Sequence, residues 1–268
     1  IFGVPHRKRK LLVIEPGESA GISTLQLPDS VNQVPAFGGA ALAANGWIYF
    51  APYRATQVLK VEPGGAYQES LGYSACTAAT CDTSIDINDE SNYKWGGVVL
   101  APNGKLYFIP YSADRVLIVD PGVSDLLVDG SITGFSGDHN WDGGVLAPNG
   151  KIYGIPRSSD HVLVIDPDTD TADTIAIPAG SGAHKWCGGA LAPNGRIYMV
   201  PYGLDRFQIL DTSDDSTYSV THGYGTSSKW CGATVDRHGE LHFLPSSGDA
   251  HVILSPAKRE FGFTGCTL

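Results

Sequence analysis

The sequence lacks the features that mark several protein classes. Among its 268 residues there is no uninterrupted apolar run of about 18, so we expect no transmembrane helix. It has no initiator methionine and no signal-peptide pattern, which suggests a processed chain or a piece of a longer one. It also lacks the Gly-x-Ser-x-Gly, His-Glu-x-x-His and Walker A motifs. No motif therefore assigns the chain to a catalytic class.

Positive charge is scarce. The chain has 18 Lys and Arg against 28 Asp and Glu, which gives a net charge of −10. Nucleic acids and anionic membrane surfaces are polyanions, so this balance argues against both as partners. The hydrophobic fraction of 42% is ordinary for a protein with a buried core. The basic run Arg7–Lys10 is interpreted as a solvated loop.

The five cysteines leave several pairings open. Cys76 and Cys81 lie in the polar segment "CTAATC", which we interpret as a local disulfide, with two free thiols as the alternative. Cys187 and Cys231 occupy the same position in neighbouring repeats, and the sequence leaves the pairing of these two and Cys266 open, with a bond from one of the two to Cys266 as one arrangement. A disulfide favours an oxidising compartment, so we expect a secreted, extracellular protein, although there is no Asn-x-Ser/Thr sequon to support this.

The sequence repeats itself. "GGVLAPNGKIYGIPRSSDHVLVIDP" recurs with small changes, anchored by an aromatic residue at spacings of 58, 46, 45 and 44: Phe37, Trp95, Trp141, Trp186 and Trp230. A partial copy opens the chain, because "IFGVPHRKRKLLVIEP" from Ile1 aligns with "IYGIPRSSDHVLVIDP" from Ile152. Such a period is typical of stacked repeat folds.

Each repeat is predicted to form four antiparallel strands. "GGVLAP" and "KIYGIP" flank an Asn-Gly hairpin, expected to be type I′, and "VLVID" and a weaker outer run follow. The fold class predicted is all-β, a single β-propeller domain over 1–268 with about six blades: 1–36, 37–94, 95–140, 141–185, 186–229 and 230–268. The first blade lacks the "GGVLAP" strand. The tail "REFGFTG" either supplies that strand or ends the sixth blade.

The repeat resembles the blades of the YVTN, NHL and SMP-30-like β-propeller families. These place a Pro-x-Gly hairpin between the inner strand and an aromatic-bearing second strand, as "APNGKIY" does here. The chain departs from the YVTN family because it has "IYGIP" at the position of the four-residue motif that gives that family its name. The resemblance implies that the loop before the inner strand and the loop after the second strand lie together at the channel mouth, where function usually resides.

Those two loops carry a repeated trio of an aromatic ring, a cation or amide, and a carboxylate. The candidate ligand-binding residues are Lys94, Trp95, Tyr111, Asp114, Asn140, Trp141, Arg157, Asp160, Lys185, Trp186, Tyr202, Asp205, Lys229 and Trp230. In one interpretation the indoles fill wedges between blades and the carboxylates cap loops or form surface pairs with the next residue. In the other, the rings stack on a sugar while the polar groups bond its hydroxyl rim, and weak sites add up across the blades.

Metal binding has little support in the sequence. SMP-30-like lactonases hold a divalent metal at the channel mouth with Asp, Glu and Asn, but here Asp142 is accompanied at the equivalent positions by Gly38, Gly96, Cys187 and Cys231. His139 and His184 with the last two cysteines form a weak soft-metal candidate. Two acidic clusters leave calcium open as a cofactor but are better explained as solvated turns: Asp166, Asp168 and Asp170; and Asp86, Asn88, Asp89 and Glu90.

Three functions are weighed. The first is a non-catalytic, secreted propeller that binds a glycan or another extracellular ligand, with no catalytic residue, cofactor or metal. The second is a structural or assembly module of an extracellular matrix or filament that associates with itself. The third is an SMP-30-like metal-dependent hydrolase or lactonase. The regularity of the loops favours the first two, because enzymes usually break repeat symmetry at their site.

Overall fold

The strands form six sheets. The computed structural model describes residues 2–4, 10–15, 21–27, 36–63, 74–75, 81–87, 92–122, 126–127, 132–178, 182–223, 225, 228–247, 250–256 and 264–267. This part of the chain contains 24 strands and no helix, hence no helix that could cross a membrane. Each sheet has four strands, and the chain divides into two compact units, Ile1–Ser136 and Gly137–Leu268.

Unit 1 (Ile1–Ser136) contains three of the sheets. The first sheet is formed by β1 (Phe2–Gly3), β2 (Lys10–Glu15), β3 (Gly21–Gln26) and β7 (Ser74–Ala75). The second is formed by β4 (Phe37–Leu42), β5 (Ile48–Pro52), β6 (Gln57–Val61) and β8 (Cys81–Asp86). The third is formed by β9 (Trp95–Leu100), β10 (Leu106–Pro110), β11 (Leu117–Asp120) and β12 (Leu126–Leu127).

Unit 2 (Gly137–Leu268) contains the other three. The fourth sheet is formed by β13 (Trp141–Leu146), β14 (Ile152–Pro156), β15 (His161–Asp166) and β16 (Thr171–Ala176). The fifth is formed by β17 (Trp186–Leu191), β18 (Arg196–Pro201), β19 (Arg206–Asp211) and β20 (Thr217–Thr221). The sixth is formed by β21 (Trp230–Val235), β22 (Leu241–Pro245), β23 (Ala250–Leu254) and β24 (Thr264–Thr267).

The hairpins between the first two strands of the repeats form where the Asn-Gly pattern predicts them, but the turn type differs. In each of these described turns only the glycine has a positive φ, for example 84° at Gly104 and 83° at Gly150. Gly104 N–H donates to Ala101 O and Ala101 N–H donates to Lys105 O, at 3.0 Å each. The predicted type I′ turn, which needs two positive φ values, is therefore wrong. The observed pattern is a turn closed by a single left-handed glycine.

The chain end and the long second repeat complete two of the sheets. The tail strand β24 pairs antiparallel with β23, so the tail ends the sixth sheet, the second of the two predicted alternatives. In the first sheet, β7 pairs in parallel with β3, with Leu25 opposite Ser74. The 58-residue repeat thus contributes a strand to the sheet of the preceding repeat, which the repeat pattern does not predict.

The core lies between neighbouring sheets within each unit. In unit 1, one cluster combines side chains of the second and third sheets, such as Tyr49, Val58 and Trp95. A Cβ on Gly38 would lie 2.8 Å from the backbone oxygens of Trp95 and Gly96, so β4 approaches β9 closely because of the glycine pair. In unit 2, Trp186 packs in the same way with residues of the fourth and fifth sheets.

Candidate functional site

A common backbone frame builds the loop end of the sheets in both units. The residue two before the inner strand adopts a left-handed conformation, with φ of 60° at Tyr93, 60° at His139 and 58° at His184. The carbonyl of the next residue accepts the N–H that follows the strand proline, as in Arg157 N to Asn140 O at 2.8 Å. Non-glycine residues with positive φ are uncommon and concentrate at functional sites.

The aromatic anchors are buried. Trp95 and Trp186 are fully enclosed, and Trp141 and Trp230 are 4% and 2% exposed. Trp95 Nε1 donates to Arg115 O at 3.0 Å and Trp141 Nε1 donates to His161 O at 2.8 Å. A ring without an accessible face cannot stack on a ligand in this conformation. The predicted stacking role of these four indoles is therefore wrong, and Trp95, Trp186 and Trp230 are wedges between neighbouring sheets of their own unit.

The polar residues in front of the anchors are also buried. Lys94, Lys185 and Lys229 are at most 5% exposed, and Asn140 is 8% exposed. Lys185 Nζ forms an ion pair with Asp160, and Lys229 Nζ donates to Gly225 O. Burial lowers the pKa of Lys229. These side chains are buried beneath the loops, so their predicted role of hydrogen bonding to the rim of a ligand is also wrong.

The carboxylates of the trio remain at the surface. The side chains of Asp114, Asp160 and Asp205 are 72%, 60% and 46% exposed. Asp114 pairs with Arg115 at 3.3 Å, and Asp205 lies 4.0 Å from Arg206. These are the surface charge pairs that the sequence predicts. The Asp160 carboxylate instead pairs with Lys185, whose hydrogen bond lowers the pKa of Asp160.

In unit 1 the two loops contribute an aromatic group, which we call the tyrosine cluster: Tyr53, Tyr93 and Tyr111. The Tyr53 ring lies 5.2 Å from Tyr93 and 5.1 Å from Tyr111, both edge to face. Arg54 places its guanidinium 5.6 Å from the centre of the Tyr93 ring and donates to Asn92 Oδ1 at 2.9 Å. Tyr111 is 4% exposed, whereas Tyr93 is 38% exposed.

In unit 2 the equivalent loops carry charge. We call this group the histidine–arginine cluster: His139, Asp142, Arg157, His184 and Tyr202. Arg157 Nη1 donates to Asp142 Oδ2 at 2.5 Å, and Arg157 Nε donates to His184 Nδ1 at 3.0 Å. The guanidinium also lies 4.7 Å from the centre of the Tyr202 ring. One arginine thereby fixes a carboxylate and an imidazole from two neighbouring sheets.

This hydrogen bond determines the protonation state of His184. A guanidinium nitrogen only donates, so Nδ1 of His184 accepts and the neutral ring carries its proton on Nε2. Burial, the Arg157 charge and the neighbouring His139 lower the pKa of His184. The His139 ring lies 5.4 Å from His184, centre to centre. The cluster therefore holds a neutral imidazole donor beside a second imidazole.

The structure decides the cysteine pairing that the sequence leaves open. Cys187 and Cys231 form a disulfide that links β17 to β21, so neither of them pairs with Cys266. Their Cα atoms are 4.8 Å apart because neighbouring inner strands place equivalent repeat positions side by side. Cys187 Sγ also lies 3.4 Å from Asp142 Oδ2. The predicted Cys76–Cys81 bond lies outside the residues whose side chains are described.

The structure also locates most of the weaker metal candidates. Asp142, not a histidine, is grouped with Cys187 and Cys231, whose sulfurs form the disulfide. Asp166 caps the turn between β15 and β16 by accepting the Asp168 N–H at 3.0 Å. This agrees with a solvated turn. Asn88, Asp89 and Glu90 lie outside the described residues.

The repeat pattern points to Arg157 and Tyr202 but not to the network that joins them to His184. From the sequence, His139 and His184 are only soft-metal candidates, and Asp142 belongs to a set of positions that is poor in hard-metal ligands. The available signal was that these charged residues replace tyrosine and glycine at equivalent repeat positions. Chemically, the arrangement can hold an oxygen-rich substrate through its donors and move a proton through its imidazoles.

The comparisons with known proteins concern the fold. No family model matches the sequence, and no curated protein matches it. Among solved structures, a virginiamycin B lyase from Staphylococcus aureus with quinupristin has a TM-score of 0.74 at 12% identity, over 96% of this chain and 76% of that one. A streptogramin B lyase has a TM-score of 0.77 at 12% identity, over 100% and 78%.

A 6-phosphogluconolactonase-like protein from Bacteroides uniformis has a TM-score of 0.70 at 15% identity, over 98% of this chain and 80% of that one. These solved structures are β-propellers. Identities this low establish the fold and nothing finer. The chain has an all-β propeller fold, and its six four-stranded sheets are the blades.

Proposed function

We propose that this protein is an enzyme that opens a lactone, a cyclic ester, at the histidine–arginine cluster. The observation that carries the proposal is the hydrogen bond from Arg157 Nε to His184 Nδ1. It leaves a proton on Nε2 of a neutral imidazole, and His139 lies beside that ring. A donor and a base within one cluster are what ester cleavage requires.

The reaction proposed is hydrolysis. His139 accepts a proton from water, whose oxygen forms a bond to the lactone carbonyl carbon. The His184 Nε2–H stabilises the negative charge that develops on the carbonyl oxygen. The ring C–O bond then breaks, and the leaving oxygen takes the proton from His139. The product is a hydroxy acid, and the Arg157 guanidinium favours binding of its carboxylate.

Among the structural neighbours, the lactonase-like protein supports lactone opening, whereas the lyases support bond cleavage in general. One is a streptogramin B lyase, one is 6-phosphogluconolactonase-like, and the virginiamycin B lyase structure is of a catalytically inactive variant with a histidine replaced by alanine. Those activities belong to those proteins, at 12–15% identity. They support cleavage chemistry in this fold and do not identify a substrate.

The experiment is a panel of five- and six-membered sugar and aliphatic lactones, with acid release followed by pH-stat against the spontaneous rate. We expect at least one lactone to be hydrolysed by the wild type. His184→Ala should lower kcat/KM by about 100-fold or more, since a positioned acid–base group contributes roughly 10²–10⁴-fold. No hydrolysis across the panel, or full activity in His184→Ala, would contradict the proposal.

A second candidate function is binding without chemistry, which the tyrosine cluster favours. Tyr93 is 38% exposed, with the Arg54 guanidinium beside it. An aromatic face bordered by hydrogen-bond donors suits a carbohydrate. A glycan array with Tyr93→Ala as control tests this, and a blank array would direct attention to self-association. The Cys187–Cys231 disulfide supports secretion as part of the proposal, because such bonds persist in oxidising compartments.

A further inference from the structure

Four of the hairpins share a polar pair at their turns. The asparagine Nδ2 donates to the hydroxyl of the tyrosine four residues later, at 2.9–3.1 Å: Asn45 to Tyr49, Asn103 to Tyr107, Asn149 to Tyr153 and Asn194 to Tyr198. Each of these tyrosines is buried. The pair is a repeated structural element that holds the turn against its own second strand.

The hairpin of the sixth sheet replaces this element. The strand register puts His242 where the other repeats have the tyrosine, and Asp236 where they have alanine. Glu240 stands where Lys151 stands in the fourth sheet, and His251 stands where Val162 does. Four positions of the sixth sheet therefore carry residue types that ligate metals. The equivalent positions of the fourth and fifth sheets carry no such residue.

The side chains are held in place by neighbours. Asp236 Oδ1 accepts the backbone N–H groups of His238 and Glu240, at 2.8 and 2.9 Å, which leaves Oδ2 directed at His242 Nε2, 3.4 Å away. The Ser255 hydroxyl donates to Glu240 Oε1. His242 Nδ1 lies 3.2 Å from His251 Nε2, and the two rings stack. This orients all three potential ligands.

The ring nitrogen Nε2 of His242 is the unusual atom in this group. His242 Nε2 is buried and has no hydrogen-bond partner among the described residues. When Nδ1 donates its proton to His251, Nε2 presents a lone pair towards the Asp236 carboxylate, which is also an acceptor. With this tautomer two acceptors face each other at 3.4 Å, and a cation between them removes their repulsion, whereas with the other tautomer Nε2–H donates to the carboxylate. A metal ion and a proton are the two cations that fit.

We propose that His242 Nε2, Asp236 Oδ2 and the Glu240 carboxylate form a binding site for a divalent transition-metal ion of the Zn²⁺ type. Their ligand atoms lie within 4.8 Å of one another. Two ligands at Zn²⁺ bond lengths of about 2.0–2.1 Å and a tetrahedral angle are about 3.4 Å apart, the separation of His242 from Asp236. His251 is the outer partner that fixes the ligating ring.

The site is separate from the histidine–arginine cluster. It lies at the turn where β21 ends and β22 begins, whereas the cluster is at the loop end of the strands. A bound ion would join the turn to the second strand, the task that the Asn–Tyr pair performs in the other hairpins. Its role is therefore structural, and the proposal does not depend on the proposed lactonase activity.

The test is titration of metal-stripped, non-reduced protein with Zn²⁺ by calorimetry, because the intact disulfide keeps Cys187 and Cys231 from binding metal. We expect one equivalent to bind and Zn²⁺ to raise the Tm. His242→Tyr, which restores the residue of the other hairpins, should fold and weaken binding by about 100-fold or more. His251→Val should weaken binding about 10-fold, as outer-shell partners do. His238→Asn, which restores the turn asparagine beside the site, should bind as the wild type does.

Three results would overturn the proposal. The first is that Zn²⁺ in molar excess over the protein neither binds to the wild type nor shifts its Tm. The second is that His242→Tyr and Asp236→Ala bind as tightly as the wild type. The third is that ¹⁵N spectra of the histidine rings show a proton on His242 Nε2 at neutral pH with and without Zn²⁺. If His242→Tyr does not fold, Asp236→Ala supplies the same test, because the other repeats carry alanine there.

Discussion

The loop ends of the two units differ in chemistry while sharing one backbone frame. Tyr93 in unit 1 and His184 in unit 2 have φ values of 60° and 58°, and the carbonyl that follows each accepts the same backbone hydrogen bond. Unit 1 fills this frame with the tyrosine cluster, and unit 2 fills it with the histidine–arginine cluster. The backbone is therefore a repeated scaffold, and a few side chains decide what each copy can do.

The comparison also separates structural from chemical residues. The tryptophans, the lysines in front of them and the glycine pairs recur in both units, and these tryptophans and lysines are buried. Arg157, Asp142 and His184 lack counterparts of their own type at the equivalent positions of unit 1, which are Tyr111, Gly96 and Tyr93. Within a repeat protein, residues that break the pattern in one unit are the better candidates for function.

The largest expected effect is on a shared structural residue. Trp186→Ala removes a fully buried indole and should lower the free energy of unfolding by about 3–5 kcal/mol. Denaturant unfolding measures it, and Trp95→Ala in unit 1 should behave alike. A loss under about 1 kcal/mol would show that the indole is not a wedge, and the ligand-stacking hypothesis would have to be revived.

The next effect concerns unit 2 alone. The Cys187–Cys231 disulfide closes a loop with a sequence separation of 44 residues. Reduction, or the double change Cys187→Ala and Cys231→Ala, should lower the free energy of unfolding by about 2–4 kcal/mol. Urea unfolding with and without a thiol reductant measures the difference. An unchanged midpoint, with reduction verified by thiol titration, would mean that the bond does not constrain the unfolded chain.

Exchanging the two clusters should have unequal costs. Tyr111→Arg buries a guanidinium at a position that is 4% exposed. Unit 1 has Gly96 where unit 2 has the Asp142 carboxylate, so we expect the free energy of unfolding to fall by about 2–3 kcal/mol. Arg157→Tyr leaves Asp142 without its cation at a partly exposed position, and should cost about 1 kcal/mol. Equal losses, measured by thermal unfolding, would mean that the frame does not distinguish the two units.

The smallest expected effect is on pH dependence. Burial comes first among the causes that lower the pKa values of His184 and His222, so the unfolded chain binds more protons than the folded one just below the ordinary value of about 6.5. The stabilisation is complete above that pH and is lost as pH falls towards the folded values. The Tm should decline between pH 7.5 and 5.5, and less so in His222→Gln. A Tm that rises on acidification would reverse the assigned shifts.

Much of the fold was predictable from the sequence because it depends on local patterns. The Asn-Gly turns, the alternating strands and the 44–46-residue period gave the four-stranded sheets directly. The predicted type I′ turn was wrong because only the glycine of each Asn-Gly turn has a positive φ. The strand β7 was missed because two residues in parallel pairing leave no periodic signal.

The site was less predictable because its contacts cross between repeats. The repeat spacing identifies Arg157 and Asp160 as members of the repeated loop pattern. It does not show that Asp160 forms an ion pair with Lys185 or that Arg157 forms one with Asp142. The tryptophans were correctly placed beside the loops, yet whether a ring faces solvent depends on packing between sheets. Cysteine connectivity likewise requires the strands to be in position.

The central claim is that the proposed chemistry resides in unit 2, whereas the same backbone frame in unit 1 takes no part in it. The most direct test compares His184→Ala with Tyr93→Ala on the lactone that the wild type hydrolyses fastest, at the same pH and with folding verified by thermal unfolding. The account predicts a loss of about 100-fold or more in kcat/KM for His184→Ala and less than about twofold for Tyr93→Ala. Equal losses, or a larger loss for Tyr93→Ala, would contradict it.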